Sequence, residues 1–302
     1  MKTIIIAGGT GFLGQVLEHY FTNKGYIIKI LTRYPKQNNH VYWNAKDTGK
    51  WTKALEHAEV LINLTGKSVD CRYNATNKKL IYDSRIDSTH VLGLAINLCE
   101  KPPKLWINSS TATIYRHSLD VEMTEKHGEI GHDFSMHIAK SWEEAFNSII
   151  NPKTRKIILR TSIVLGKKGG ALIPLKNLTK LGLGGKQGSG KQKVSWIHEL
   201  DFVRAVHFLI QHEALNGVFN LCVPQPITNK TLMQSLRKVL KIPFGLAHPK
   251  FLLEFGAALI GTETELVLKS RNVIPERLLK NGYVFSFTHI ETALGDLVNE
   301  LV

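Results

Sequence analysis

The chain opens on an unbroken apolar run, Thr3-Ile4-Ile5-Ile6-Ala7, and passes through a glycine cluster into apolar residues at helical spacing: Phe12, Leu13, Val16, Leu17, Tyr20 and Phe21. A run with no polar alternation predicts a strand covered on both faces. The spacing that follows predicts one buried face of a helix, which Gly25 ends. Tyr26 to Leu31 supplies a second apolar run. Strand, helix and strand within about 31 residues make a βαβ unit.

The alternation continues to residue 164. Val41 to Trp43 predicts a short strand, Lys53 to His57 a short helix, and Glu59 to Leu64 a strand closing on Gly66. A long helix follows over Asn74 to Leu98, with Leu80, Ile81, Val91, Leu92, Ala95 and Leu98 on its apolar side. Then come a strand at Lys104 to Asn108, a helix at Phe134 to Ile150 and a strand at Lys156 to Val164. Helices alternating with apolar strands predict an α/β fold, a Rossmann-like doubly wound parallel sheet with right-handed crossovers.

Beyond Gly166 the texture changes. Gly169-Gly170 and Gly182 to Gly190 predict flexible or tightly turned loops. Val194 to His198 reads as a strand, Asp201 to Gln211 as a helix, and Val218 to Val223 as a strand returning to the main sheet. From Thr228 the pattern is mostly helical, broken by Pro243, Pro249 and Pro275. The expected division is a core of residues 1–170, rejoined by 191–235, with 171–190 and 236–302 forming a smaller, mostly helical substrate-side lobe. The stripe Leu252, Leu253, Phe255, Leu259 and Ile260 suits the core of that lobe or a subunit contact, in a monomer or homodimer.

Composition changes the picture little: 302 residues, 43% hydrophobic and 21% charged, are ordinary for a globular protein. The net charge of +14 is less ordinary. Its lysines and arginines are scattered, and no nucleic-acid-binding motif gathers them, so an anionic cofactor or substrate is the expected partner and nucleic acid is not. Cys71, Cys99 and Cys222 are far apart and odd in number, which argues against a disulfide framework and for a reducing compartment. The first apolar run is too short for a signal-peptide core, and no run nears the roughly 18 apolar residues of a membrane helix. A cytoplasmic protein without membrane contact is expected. No metal is expected either, since no histidine or carboxylate pair has ligand spacing.

The glycine cluster carries the first chemistry. In Gly8-Gly9-Thr10-Gly11-Phe12-Leu13-Gly14, Gly8 turns the chain out of the strand, Gly11 clears space at the helix start, and Gly14 permits close packing. Free N–H groups and the helix dipole then face a pyrophosphate. A ligand-free glycine turn is the bland alternative. The strand before it and the amphipathic helix after it are the context a dinucleotide site requires. At the second strand an NAD site usually presents Asp or Glu, but this chain reads Ile30-Leu31-Thr32-Arg33. Arg33 suits the fork that grips a 2′-phosphate, so NADP(H) is favoured over NAD(H); a plain surface arginine is the competing reading. Leu64-Thr65-Gly66 ends a strand on the edge that faces the crevice, for cofactor contact or as a simple turn.

These motifs, with Ser109-Ser110-Thr111-Ala112-Thr113-Ile114-Tyr115, resemble the extended, atypical short-chain dehydrogenase/reductases. More narrowly the chain is similar to the NAD(P)-dependent epimerase family proteins that end in a DUF1731 domain. That similarity is carried by Leu159 to Gly166, by Gly188-Ser189-Gly190 through Val194-Ser195-Trp196-Ile197-His198 to Asp201, and by Val273 to Leu279 with Gly282-Tyr283-Val284-Phe285. The resemblance spans almost the whole chain. It implies a Rossmann domain, a bound NAD or NADP, and a C-terminal lobe over the nicotinamide end. Many relatives in the wider family act on nucleotide sugars; the narrower group is mostly of unknown reaction.

The resemblance also implies a Ser or Thr, a Tyr and a Lys in catalysis. Thr111 matches the first by motif, and it equally suits a turn cap. Tyr and Lys normally lie four apart on the next helix. Counted back from Glu144, Lys140 takes the lysine position, for the nicotinamide ribose or as a solvated side chain, and Met136 takes the tyrosine position. A thioether has no proton to exchange. His137 is then an acid–base candidate. Tyr115, Trp196 and His198 are candidates to line the substrate site, although a satisfied structural role suits both histidines better and relatives usually use the tyrosine structurally. The Gly182 to Gly190 loop, with Lys186 and Lys191, suits either a lid over an anionic substrate or a surface loop. Two functions follow: an NADP-dependent oxidoreductase or epimerase on a small, possibly nucleotide-sugar substrate, or a non-catalytic NADP-binding regulatory protein.

Overall fold

The computed structural model describes residues 1–251, 253–254 and 263–298. Of the predicted apolar stripe, Leu252, Phe255, Leu259 and Ile260 lie outside the described residues. The first unit forms as its pattern dictates: β1 (Thr3–Ala7), α1 (Phe12–Asn23) and β2 (Ile27–Thr32). Next come β3 (His40–Tyr42), β4 (Val60–Asn63), α2 (Ala75–Leu98), β5 (Leu105–Thr111), α3 (Phe134–Ser148) and β6 (Arg155–Thr161). With β10 (Gly217–Leu221) these strands make one seven-stranded parallel sheet in the order β10-β6-β5-β4-β1-β2-β3.

The unbroken run in β1 has a direct cause. Ile4 and Ile6 pack with Leu17, Phe21 and the buried side of α5 (Glu199–Gln211). Ile5 and Ala7 face the other way, toward Val91 and Leu92 of α2 and Phe146 of α3. Both sheet faces are covered, so neither can be polar. Because β2 and β4 flank β1 on opposite sides, the chain reverses its winding there. The crevice above that reversal is where doubly wound sheets take ligands.

Two predicted strands are each divided by a serine. After β6 the chain breaks at Ser162, whose N–H and Oγ both donate to Leu221 O, at 3.0 and 2.8 Å. The continuation, β7 (Ile163–Leu165), leaves the main sheet and pairs with β9 (Trp196–His198). At Ser195 the hydroxyl donates to Arg271 O and accepts from Val273 N. That separates β8 (Lys193–Val194), which pairs with β11 (Ile227–Thr228), from β9. The expected helix at Lys53 to His57 is instead a 3₁₀ turn at Lys50–Ala54, and His57 follows with φ 61°.

A helix the hydrophobic pattern does not predict, α4 (Leu172–Lys180), fills the stretch between the two glycine-rich segments; α6 (Asn229–Leu240) closes against it. The Gly182 to Gly190 loop is tied down rather than free. Gly185 N and Gly188 N donate to Leu246 O and His248 O, and Arg237 donates to Gly184 O. No helix among the described residues is long and apolar enough to cross a membrane.

Candidate functional site

At the end of β1 the backbone turns through Gly8 with φ 71°, a conformation L side chains rarely adopt. A methyl group on Gly14 would overlap the carbonyl of Gly9, so its absence lets the turn fold back onto the helix start. Gly11 is different. It is the N-cap of α1, no side chain caps that helix, and a Cβ there would meet nothing within 4 Å. The first helical N–H groups therefore open onto vacant space, as an anion seat requires. Thr10 is exposed, and its carbonyl accepts from Gln15 Nε2. Thr65, whose N–H is held by Asn63 Oδ1, keeps beside Gly8 a buried Oγ1 with no partner among the described residues. An open cradle with an orphaned hydroxyl fits a dinucleotide phosphate linker.

Phe12 explains the second glycine cluster. Side chains at Gly166 or Gly169 would collide with its ring, and one at Gly170 with the carbonyl of Val164, so these glycines form a socket that anchors the start of α1. Arg33, past the end of β2, is exposed; its guanidinium lies 5.8 Å from the Tyr34 ring centre and meets no carboxylate among the described residues.

From this seat a cavity of about 470 Å³ runs toward β5. Phe12, Leu13, Leu64 and Gly66 line its near end, Ser109, Ser110 and Thr111 its floor, and Ser135, Ile138, Ala139 and Trp142 of α3 one wall. Thr111 Oγ1 accepts from Thr113 N at 3.1 Å and donates to Thr113 Oγ1 at 3.0 Å. It caps the following turn and also lines the cavity. A smaller cavity of about 130 Å³ adjoins at Thr111, Thr113 and Ser162, and Lys193, Lys269 and Arg271 line its far side. Lys269 is paired with Asp133 and Glu265, and Arg271 lies 3.8 Å from Glu265. No partner of Lys193 Nζ is found among the described residues.

Helix α3 corrects the count made along the sequence. Lys140 is 56% exposed, reaches Glu144 at 3.8 Å, and points away from the cavity. His137 is exposed on the same outer face, and Met136 is buried beneath Gly131. The buried glutamate is Glu143, not Glu144. Counted from it, the pair four apart that faces the cavity is Ser135 and Ala139. The slip of one residue rotates the helix by about 100° and moves the expected pair to solvent.

The three expected substrate-lining side chains lie elsewhere. Tyr115 is fully buried; its hydroxyl accepts from Arg160 Nη1 at 2.8 Å and donates to Asn220 Oδ1 at 2.9 Å. Trp196 is fully buried in the core and its indole N–H has no partner among the described residues. His198 caps α5 by accepting from Leu200 N, stacks on Phe287, and has Nε2 3.2 Å from Asp296 Oδ2, within ion-pair reach but out of line for a hydrogen bond. Burial pushes its pKa down against the pull of Asp296 and Asp201. Among the described residues no group of three or more His, Cys, Asp or Glu is placed to hold a metal.

Two cavity residues carried no motif. Tyr73 and Arg85 also line the cavity. Arg85 did leave a trace: it falls on the stripe Ile81, Ser88, Thr89 and Leu92 that α2 buries, where an apolar residue is expected.

The model of the NAD dependent epimerase/dehydratase family matches residues 4–222, and that of a domain of unknown function, DUF1731, matches residues 248–297. The epimerase family protein SERP0438 of Staphylococcus epidermidis is 32% identical over 301 residues, covering 99% of both chains. The epimerase family protein SDR39U1 of Mus musculus is 30% identical over 299 residues, covering 98% of this chain and 99% of its own. Among solved structures, human SDR39U1 (isoform 2) with NADPH superposes with a TM-score of 0.89 at 28% identity, covering 98% of each chain. A nucleoside-diphosphate sugar epimerase from Corynebacterium glutamicum shares the fold, with a TM-score of 0.79 at 24% identity over 97% of this chain and 57% of that one. The chain belongs to the NAD dependent epimerase/dehydratase family, in the extended short-chain dehydrogenase/reductase form with a C-terminal DUF1731 region.

Proposed function

We propose that the protein binds NADP(H) in preference to NAD(H) and acts as an oxidoreductase or epimerase on a small carbonyl or hydroxyl compound that carries an anionic group, nucleotide sugars being one such class. The observation that carries this reading is the uncapped, open N-terminus of α1 at Gly11, continuous with a cavity that ends on Thr111. The human relative with NADPH supports the choice of dinucleotide, and so does Arg33, which has no acidic residue beside it on β2. When bound, the dinucleotide supplies a carbon that gives or takes hydride. The protein's own groups do the rest. The N–H groups after Gly11 hold the phosphates, Arg33 holds the 2′-phosphate, and Thr111 offers the substrate oxygen its hydroxyl in exchange for the bond to Thr113 Oγ1. Lys193, whose Nζ has no partner among the described residues, orients the anionic end of the substrate from the adjoining cavity.

One observation favours a second reading, a binding protein without turnover: α3 turns Ser135 and Ala139 toward the cavity instead of a tyrosine and a lysine. Both readings are tested together. NADPH and NADH are titrated into the protein by fluorescence, and NADPH oxidation is then followed with carbonyl compounds bearing phosphate or carboxylate. Saturable NADPH binding with turnover supports the enzyme. Binding with no turnover across the set supports the second reading, and no binding defeats both.

A further inference from the structure

The usual phenol and cation are absent from the inner face of α3, yet the cavity holds one of each on the neighbouring segment that packs against α3. We propose that Tyr73 is the proton donor of this site and that Arg85 is the cation that serves it, both supplied by the segment between β4 and the middle of α2. This rests on the enzymatic reading above.

Tyr73 lines the cavity, and its buried Oη has no hydrogen-bond partner among the described residues. A buried hydroxyl left unpaired is costly, and such groups in native proteins call for an explanation. Its position is fixed from two sides: the ring packs on Phe134 with centres 4.8 Å apart, and its backbone N–H donates to Glu263 Oε1 at 2.9 Å. Arg85 spends Nη1 on two backbone oxygens, Lys67 O at 3.1 Å and Ile81 O at 3.0 Å, and lies 5.1 Å from the Trp142 ring centre. No carboxylate pairs with it among the described residues. A Cβ on Gly66 would come within 3.0 Å of Arg85 Cζ, so glycine at that position makes room for the guanidinium.

The surroundings of the phenol set its resting state. Burial, with Glu265, Cys71 and Glu263 nearby, pushes it up to about 12 against the opposing pull of Arg85. It therefore holds its proton at neutral pH, as a donor must. In the reducing direction the Tyr73 Oη–H bond breaks as an O–H bond forms on the substrate's former carbonyl oxygen. The electron pair that makes that oxygen basic arrives with the hydride of the reduced dinucleotide. The phenolate is balanced by Arg85 and takes its next proton from water.

The test uses the full chain labelled with ¹³C at tyrosine Cζ. The Tyr73 resonance is identified by its loss in Tyr73→Phe and followed with and without NADP⁺ and in the Arg85 variants. The expected result is a shift on NADP⁺ binding, and a displaced resonance in Arg85→Gln that Arg85→Lys returns to its wild-type position. In the NADPH-oxidation assay, Tyr73→Phe is expected to lose at least about a hundredfold in turnover while keeping its NADPH affinity. A Tyr73 resonance indifferent to both NADP⁺ and Arg85→Gln overturns the proposal, as does Tyr73→Phe turning over at the wild-type rate. Failure of the wild type to bind NADPH, or to turn over at all, defeats the underlying reading instead, and this one with it.

Discussion

Arg160 and Glu143 form a buried two-point ion pair: Nη2 lies 2.7 Å from Oε2 and Nε 2.9 Å from Oε1. Glu143 Oε1 also accepts from Ser110 Oγ at 2.6 Å, and Arg160 Nη1 donates to Tyr115 Oη. Tyr115 passes the chain of bonds to Asn220 of β10, whose Nδ2 donates to Ile274 O. The network thus joins α3, β5, β6 and β10 to the C-terminal region, and it holds the residue next to Thr111. Its cost lies in desolvation, which the bidentate geometry offsets only while both partners are present.

Removing one partner strands the other. Glu143→Leu alone is expected to destabilise the protein by about 3–5 kcal/mol, since an unpaired buried guanidinium remains. The double variant Glu143→Leu with Arg160→Met is expected to recover at least half of that loss. Urea unfolding of the three proteins measures the difference. A double variant no more stable than the single one would show that the pair is not a self-contained unit.

His198 makes the stability depend on pH in a defined direction. Burial depresses its folded pKa below the ordinary value of 6.5, with Arg204 pushing the same way and Asp296 and Asp201 opposing. Above about 6.5 the ring is neutral in both folded and unfolded chains, and its contribution is fully present. As pH falls below that value the unfolded chain takes up the proton more readily, and the contribution is lost down to the folded pKa. Asn can still cap α5, so His198→Asn removes the titration and keeps the cap. The stability of the wild type relative to the variant is expected to be level above about pH 6.5 and to fall below it. Thermal melts of both proteins from pH 5 to 8 check this. His207, also depressed, and Glu125 and Glu199, both raised, titrate in both proteins and cancel.

What the sequence reveals and what it hides divide along a physical line. Local rules place β1, α1 and the glycine turn, because a strand buried on both faces, an amphipathic helix and a left-handed glycine are all set within a few residues. The breaks at Ser162 and Ser195 are not local: each depends on a carbonyl some sixty or more residues away. The face of α3 is hidden for a related reason. Glu143 and Glu144 are chemically alike, and the partner that singles out the buried one, Arg160, lies on another element. Tyr115 and His198 have the right chemistry for a site, but the Tyr115 hydroxyl is taken by Arg160 and Asn220, and His198 is buried as the cap of α5.

Arg33 tests the choice between the two dinucleotides. Its exposed guanidinium is free of carboxylate competition among the described residues, so its charge is available to a 2′-phosphate. Arg33→Ala is expected to weaken NADPH binding by roughly ten- to a hundredfold and to leave NADH binding within about twofold. Fluorescence titration with each reduced dinucleotide reads both values. Equal losses for NADPH and NADH would assign Arg33 to the adenosine common to both, and would remove the basis for preferring NADP(H).

Two neighbouring glycines separate folding from binding at the same turn. At Gly14 a methyl group collides with backbone at Gly9, which no rotamer can relieve. Gly14→Ala is therefore expected to lower the melting temperature and dinucleotide affinity together. At Gly11 the backbone has φ −81° and ψ 177°, open to any L residue, and the added methyl meets no protein atom within 4 Å. Exchanging Gly for Ala at an N-cap costs only about 1 kcal/mol of stability. The methyl would instead occupy the space the phosphates need, so Gly11→Ala is expected to fold nearly as well as the wild type and to lose at least about tenfold in NADPH affinity. Melting curves and NADPH titrations on both variants give the four values. Wild-type affinity in a folded Gly11→Ala protein would mean that the phosphates do not approach the helix at this residue.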